Sequence, residues 1–164
     1  MTPPQTAPAA PARGWLNADQ QRIWRSYLLG KTRVDEYLDT ALAPFELRLD
    51  EYELLVRLSE AEERTLRMGE LASSVRHSRS RLTHTVARME KRGLIRREPC
   101  VCDGRGVQAV LTEAGWNLLV EAAPSHVDAV REVFVDAIGA DDYEALGRAM
   151  SRVLAVADEA ATKR

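Results

Sequence analysis

The chain has 164 residues, 45% of them apolar and 29% charged, with a formal net charge of −2. That suits one folded domain with room for a self-association extension, and no run approaches the roughly 18 apolar residues that a membrane-crossing helix needs. The near-zero charge conceals a split. Between Arg64 and Arg105 stand 11 Lys and Arg against 4 Asp and Glu, while the rest of the chain carries 12 basic and 21 acidic residues. A nucleic-acid-facing lobe attached to an acidic body divides its charge in this way.

Residues 1–16 read as a disordered Pro/Ala-rich tail, with four prolines in the first fourteen positions. They lack the apolar segment of a signal peptide, so the expected location is the cytoplasm. Asn17 caps the first helix, with Gln20 as its capping-box partner, and the helix is expected to run to Leu42. Ile23, Tyr27, Val34, Leu38 and Ala41 share one stripe, which Trp24, Leu28 and Tyr37 widen. A stripe that broad suits packing on a second subunit as well as on the chain's own core.

A second helix is expected from Asp50, with Glu53 as its box acid, Leu49 stapled to Leu54, and Leu54, Leu55 and Leu58 inside. Ser59–Thr65 reads as a loop and Met68–Val75 as a short helix. Arg76 and His77 connect it to the next helix, for which Ser78 is the N-cap. Helices joined this tightly form a helix-turn-helix. In that next helix Leu82, Val86 and Met89 make a core row, leaving Ser80, His84, Ala87 and Lys91 outside, flanked by His77, Arg81 and Arg88. An acid-free outer face, small at its centre, suits the major groove. The candidate DNA contacts are therefore His77, Ser78, Arg79, Ser80, Arg81, Thr83, His84 and Arg88.

Gly93 ends the helix, and two strand-like runs follow, Leu94–Cys100 and Val107–Leu111. At the glycine-rich tip between them, Arg105 is suited to enter a minor groove and Asp103 to hold a neighbouring arginine. Thr112 caps a further helix that Pro124 is expected to kink or break near Ala123. Asp141 with Glu144 opens a last helix.

Three pieces carry a specific likeness: RMGELA at 67–72, SRSRLTHTVARMEKRGLIRRE at 78–98, and the set Asp103, Arg105, Leu111, Thr112 and Gly115. Across about residues 49–118 the chain resembles the MarR family of winged helix-turn-helix regulators. The resemblance implies a mainly α fold in which a winged helix-turn-helix with a short β-hairpin wing (46–112) is flanked by long dimerisation helices (17–45 and 113–164). It also implies a homodimer on a palindromic double-stranded DNA operator, with Arg105 of each wing in a minor groove. Repression, and release by a small aromatic or lipophilic effector, belong to the same expectation. The chain departs from many relatives in having His84 where they place Arg after the recognition-helix Thr, which leaves base preference and pH sensitivity open. In this architecture an effector pocket lies among the first helix, the second and the start of the fifth. Its candidate residues are Trp24, Tyr27, Tyr37 and Trp116, with Arg57 or His126 for an acidic group.

Other chemistries find little support. There is no phosphate-binding glycine loop, nucleophile elbow or H-E-x-x-H run, so no enzyme is expected. No cofactor is expected either. Cys100 and Cys102, the only cysteines, stand too close for an easy disulfide in an extended strand. They have no zinc-ligand spacing with a histidine, so no metal site is expected. A redox- or metal-responsive regulator through that pair, and a winged helix that binds protein instead of DNA, are the alternative readings.

Overall fold

A computed structural model describes residues 14–74, 79–100 and 106–163, with only the backbone of Ser74 and Arg79. The tail up to residue 13, the connection with Val75, Arg76, His77 and Ser78, and the wing tip with Cys102, Asp103 and Arg105 lie outside the described residues.

Helix α1 spans Ala18–Leu42 and opens on the expected box. The Gln20 N–H donates to Asn17 Oδ1 at 2.9 Å, and the Asn17 N–H donates to Gln20 Oε1 at 3.0 Å. Only its C-terminal end is buried, through Leu38 and Leu42. Farther back, Ile23, Trp24, Tyr27, Leu28 and Leu29 are exposed, so most of the wide stripe has no cover among the described residues.

Helix α2 is Leu49–Glu60, capped by Arg48. The box acid is Glu51, whose Oε2 accepts the Arg48 N–H at 3.0 Å, while Glu53 is exposed; this corrects the expected start at Asp50. The shift has a tertiary cause: Asp39 of α1 takes the Leu49 N–H at 2.8 Å, satisfying a first-turn donor from another element. Leu54, Leu55 and Leu58 are fully buried, as their spacing predicted.

A strand that was not expected, β1, Thr65–Arg67, begins at the last residue of the expected Ser59–Thr65 loop and fills the gap before the next helix. Three residues are too few for a period to show. Helix α3 is Met68–Ser74 and α4 is Arg79–Lys91. Leu82, Val86 and Met89 of α4 join Leu71 and the α2 leucines in one core. Gly93, at φ 73°, reverses the chain, and the Leu94 N–H returns to the Met89 carbonyl at 3.0 Å. That bond withdraws Leu94 from the strand expected there, so β2 is Ile95–Pro99. Strand β3, Val107–Leu111, lies between the other two in an antiparallel sheet ordered β1-β3-β2, with Leu66 opposite Ala109 and Arg97 opposite Ala109 on the other side.

Helix α5, Glu113–Val130, is not broken near Ala123; it passes through Pro124 and continues as a wider π turn over Arg131–Asp136. Helix α6 is Ala140–Thr162. Its cap is Gly139 rather than Asp141, at φ 79° and ψ 157°, a backbone region open essentially to glycine. Among the described residues no helix is long and apolar enough to cross a membrane.

Two positions in this frame are demanding. A Cβ on Gly115 would stand 2.2 Å from the Leu94 carbonyl oxygen and 2.8 Å from Leu111 Cδ1, a clash with backbone that cannot swing away. Gly115→Ala should therefore lower unfolding free energy by about 1–3 kcal/mol or more, read as a lower urea midpoint. An unchanged midpoint would contradict the close approach. His126 of α5 lies against Tyr52 of α2, ring centroids 4.2 Å apart, with Nδ1 buried and without a hydrogen-bond partner among the described residues. Burial pushes its pKa below the ordinary histidine value. The unfolded chain then takes up a proton at a higher pH than the fold does, so stability falls as pH drops through the ordinary histidine range. Thermal midpoints measured from pH 7 to 5.5 should decline in the wild type and decline less in His126→Leu.

Candidate nucleic-acid interface

The core row turns one side of α4 inward, which leaves Ser80, Arg81, Thr83 and His84 exposed together in its first half. Lys91 is exposed at the far end of the same face and Ala87 is half-buried between them. The structure thus presents the described part of the predicted contact row as one surface. Arg79 belongs to α4 by its backbone, and His77, Ser78, Asp103 and Arg105 lie outside the described residues.

Acids from another element border that surface, and sequence reasoning missed them. Glu51, 1% exposed, and Asp50, its side chain 10% exposed, sit at the start of α2 beneath the edge of α4. Arg88 Nε donates to Glu51 Oε1 at 2.7 Å and Arg92 Nη1 lies 3.5 Å from Oε2. Arg92 also donates to the Glu46 carbonyl at 2.8 Å, holding the left-handed turn that precedes α2. The buried Thr85 hydroxyl donates to Asp50 Oδ2 at 3.3 Å. Arg81 and Arg88 each stand 3.9 Å from an Asp50 oxygen, which are ion-pair rather than hydrogen-bond distances. Asp50 Oδ1 accordingly has no hydrogen-bond partner among the described residues. The bond to Glu51 raises the Arg88 pKa, and the contacts to Glu51 fix the positions of both guanidinium groups. The signal was present as a Glu at N3 of a helix, but which arginines it meets depends on folding across some 40 residues of chain.

The wing is tied to α4 separately. Glu90 accepts the Arg97 backbone N–H at 3.0 Å and its guanidinium at 2.9 and 2.6 Å. Those bonds hold the Glu90 carboxyl below the usual carboxylate range. The one acid of α4 is thereby turned to β2.

The MarR family model matches residues 47–107. The structure is similar to AbsC, a MarR family transcriptional regulator from Streptomyces coelicolor, at 38% identity and a TM-score of 0.83 over 89% of this chain and 99% of that one. The chain belongs to the MarR family. Also similar is Sco3205, a MarR family transcriptional regulator of the same organism solved in complex with DNA. It shares 43% identity, with a TM-score of 0.81 over 86% of this chain and 89% of that one. The regulator PecS of Dickeya dadantii is 26% identical over 101 residues, and the match spans 61% of each chain. Family membership makes the chain a winged-helix transcriptional regulator and not an enzyme.

Within this MarR-type fold the effector candidates fall into separate local contacts. Trp24 and Tyr27 stack on the exposed face of α1 with centroids 5.5 Å apart. Trp116 lies beneath the Arg64 guanidinium, 4.2 Å from its ring centroid, and Arg64 also pairs with Glu113 at 3.3 Å. Arg57 stands 3.5 Å from Glu60 on its own helix. Two shallow hollows, one along α1 by Gln21 and Arg25 and one by Gly139 and Tyr143, include none of these four candidates in their linings.

Cys100 corrects the expectation about the C-x-C pair: it is buried and disulfide-bonded. The premise of an extended strand fails there, because β2 ends at Pro99. The other half of that bond lies outside the described residues. Among the described residues no group of three or more His, Cys, Asp or Glu is placed to hold a metal.

Proposed function

We propose that the chain is a homodimeric DNA-binding regulator that represses by occupying a palindromic operator in the cytoplasm. The observation that carries the DNA reading is the exposed row Ser80, Arg81, Thr83 and His84 on α4, within a segment holding 11 basic and 4 acidic residues. A helix enters the major groove by such a face, its N-terminal residues deepest. His77, Ser78 and Arg79 extend the row toward the helix start, Arg88 serves phosphate at its edge, and Arg105 supported by Asp103 reads the adjoining minor groove. The DNA complex of Sco3205 supports this reading.

The dimer is supported by apolar surface that the single chain leaves open. Ile23, Leu29 and Trp24 on α1, and Val153, Leu154 and Val156 on α6, are all exposed. A two-fold pairing through these helices would bury them and present two α4 helices to successive half-sites. A small aromatic or lipophilic effector would meet Trp24 and Tyr27 on the open face of α1, or Arg57 and Trp116 in the lobe. Occupation there would change the spacing of the two α4 helices.

The test is a fluorescence anisotropy titration of the duplex upstream of the protein's own gene and of a random duplex. Affinity for both should fall by at least about a hundredfold between roughly 50 and 200 mM salt, as phosphate neutralisation requires. His84→Ala should lose about tenfold or more on the upstream duplex while keeping its affinity for the random one. Failure of the wild type to bind either duplex at low salt would refute the reading in favour of a protein-binding winged helix.

A further inference from the structure

We propose that Glu51 is a positioning residue for DNA reading, setting the rotation of α4 about its own axis through Arg88 and Arg92. The inference rests on the DNA-binding reading above and adds to it a residue that touches no DNA. One oxygen of the Glu51 carboxylate takes Arg88 Nε at 2.7 Å. The other takes the Arg48 N–H at 3.0 Å and faces Arg92 Nη1 at 3.5 Å. The same buried group therefore caps α2, grips the last turn of α4 through Arg88 and holds Arg92 just past the end of that helix.

At 3.6 residues per turn, Arg81, Thr85 and Arg88 fall along one edge of α4, and Arg92, the first residue past the helix, continues that line. That edge lies between the buried row Leu82, Val86, Met89 and the outer face of Ser80 and His84. Apolar packing of the buried row is non-directional and tolerates a small roll of the helix. A charged hydrogen bond is directional, and rolling α4 would leave the carboxylate unpaired where water scarcely reaches. Asp50 repeats the device one turn earlier, accepting from Thr85 at 3.3 Å. The acid-tethered edge thus determines where Ser80 and His84 point. Base edges in a groove demand that fixity, while phosphates do not.

The experiment compares two duplexes: one recovered by the wild-type full chain from a random-sequence pool, and a scrambled version of it. Glu51→Gln keeps size and removes the charge that holds both arginines. Its affinity for the recovered duplex should fall about tenfold or more, the scale of a lost base contact. Affinity for the scrambled duplex should stay equal or rise, since one negative charge has gone. Arg92→Gln should lower the ratio of the two affinities in the same direction, and Arg92→Lys should restore it. A folded Glu51→Gln variant whose ratio is within about twofold of wild type overturns the proposal, as does an equal loss on both duplexes, which would assign Glu51 to folding alone. Should Glu51→Gln not fold, Arg92→Gln decides: a wild-type ratio there overturns it. A wild-type chain that recovers no duplex from the pool refutes the DNA reading itself, before any variant is made.

Discussion

The hydroxyl of Thr112 joins the DNA-facing lobe to the long helices. It accepts the Gly115 N–H at 3.1 Å, capping α5, and shares its proton between the carbonyls of Gly93 at 2.6 Å and Leu94 at 3.0 Å. Those carbonyls close α4 and precede β2, while Thr112 itself follows β3, so helix end, sheet and helix start meet around one oxygen. The Thr112 N–H also donates to Leu94 at 3.2 Å. Each such bond contributes only about 1 kcal/mol net, yet the group has no slack, because Gly115 brings the α5 backbone directly against the Leu94 carbonyl. The start of α5 is thereby in direct contact with the end of α4 and the start of β2.

Electrostatics in this lobe has two ranges. At long range the basic excess between Arg64 and Arg105 attracts polyanions. At short range much of that charge is held: Arg81 and Arg88 face Asp50, Arg88 and Arg92 face Glu51, and Arg97 is bound by Glu90. Removing one partner from a fully buried pair costs about 3–5 kcal/mol. The Glu51 pair is worth less, because the Arg88 side chain is 45% exposed and water screens it. The counter-charges orient arginine side chains and offset part of the basic excess that would attract phosphate.

The legible parts of the chain were those with local causes. The Asn17 and Thr112 caps, the Gly93 stop, the buried Leu82–Val86–Met89 row and strand β3 all follow from residues within a few positions of one another, and all appear in the structure. What stayed hidden was set from a distance. Strand β1 exists because β3, more than 40 residues later, supplies its partner. Helix α2 starts early because Asp39 reaches its first turn, and Asp50, read only as a helix start, and Glu51, passed over in favour of Glu53, acquire arginine partners through the fold. Of the kink or break expected at Pro124, the break does not occur: α5 continues through it, so the lost N–H did not end the helix.

The long helices carry a constraint of their own. Helix α1 is buried only near Leu38 and Leu42, where it meets the lobe, and its Tyr37 is linked to Glu132 in the π turn, an interaction that raises the tyrosine pKa. The π turn also brings Phe134 edge-on to Tyr143 of α6, centroids 6.0 Å apart. Helices α1, α5 and α6 therefore converge on Arg131–Asp136, a stretch whose wider winding relaxes the usual i to i+4 ladder. With the apolar faces of α1 and α6 open beyond it, that turn is the point where a covering subunit would bear on α5. At its other end α5 bears on the close of α4 through Thr112 and Gly115. The stiffness that lets one chain hold its reading face steady is also what would let two chains set the distance between their faces.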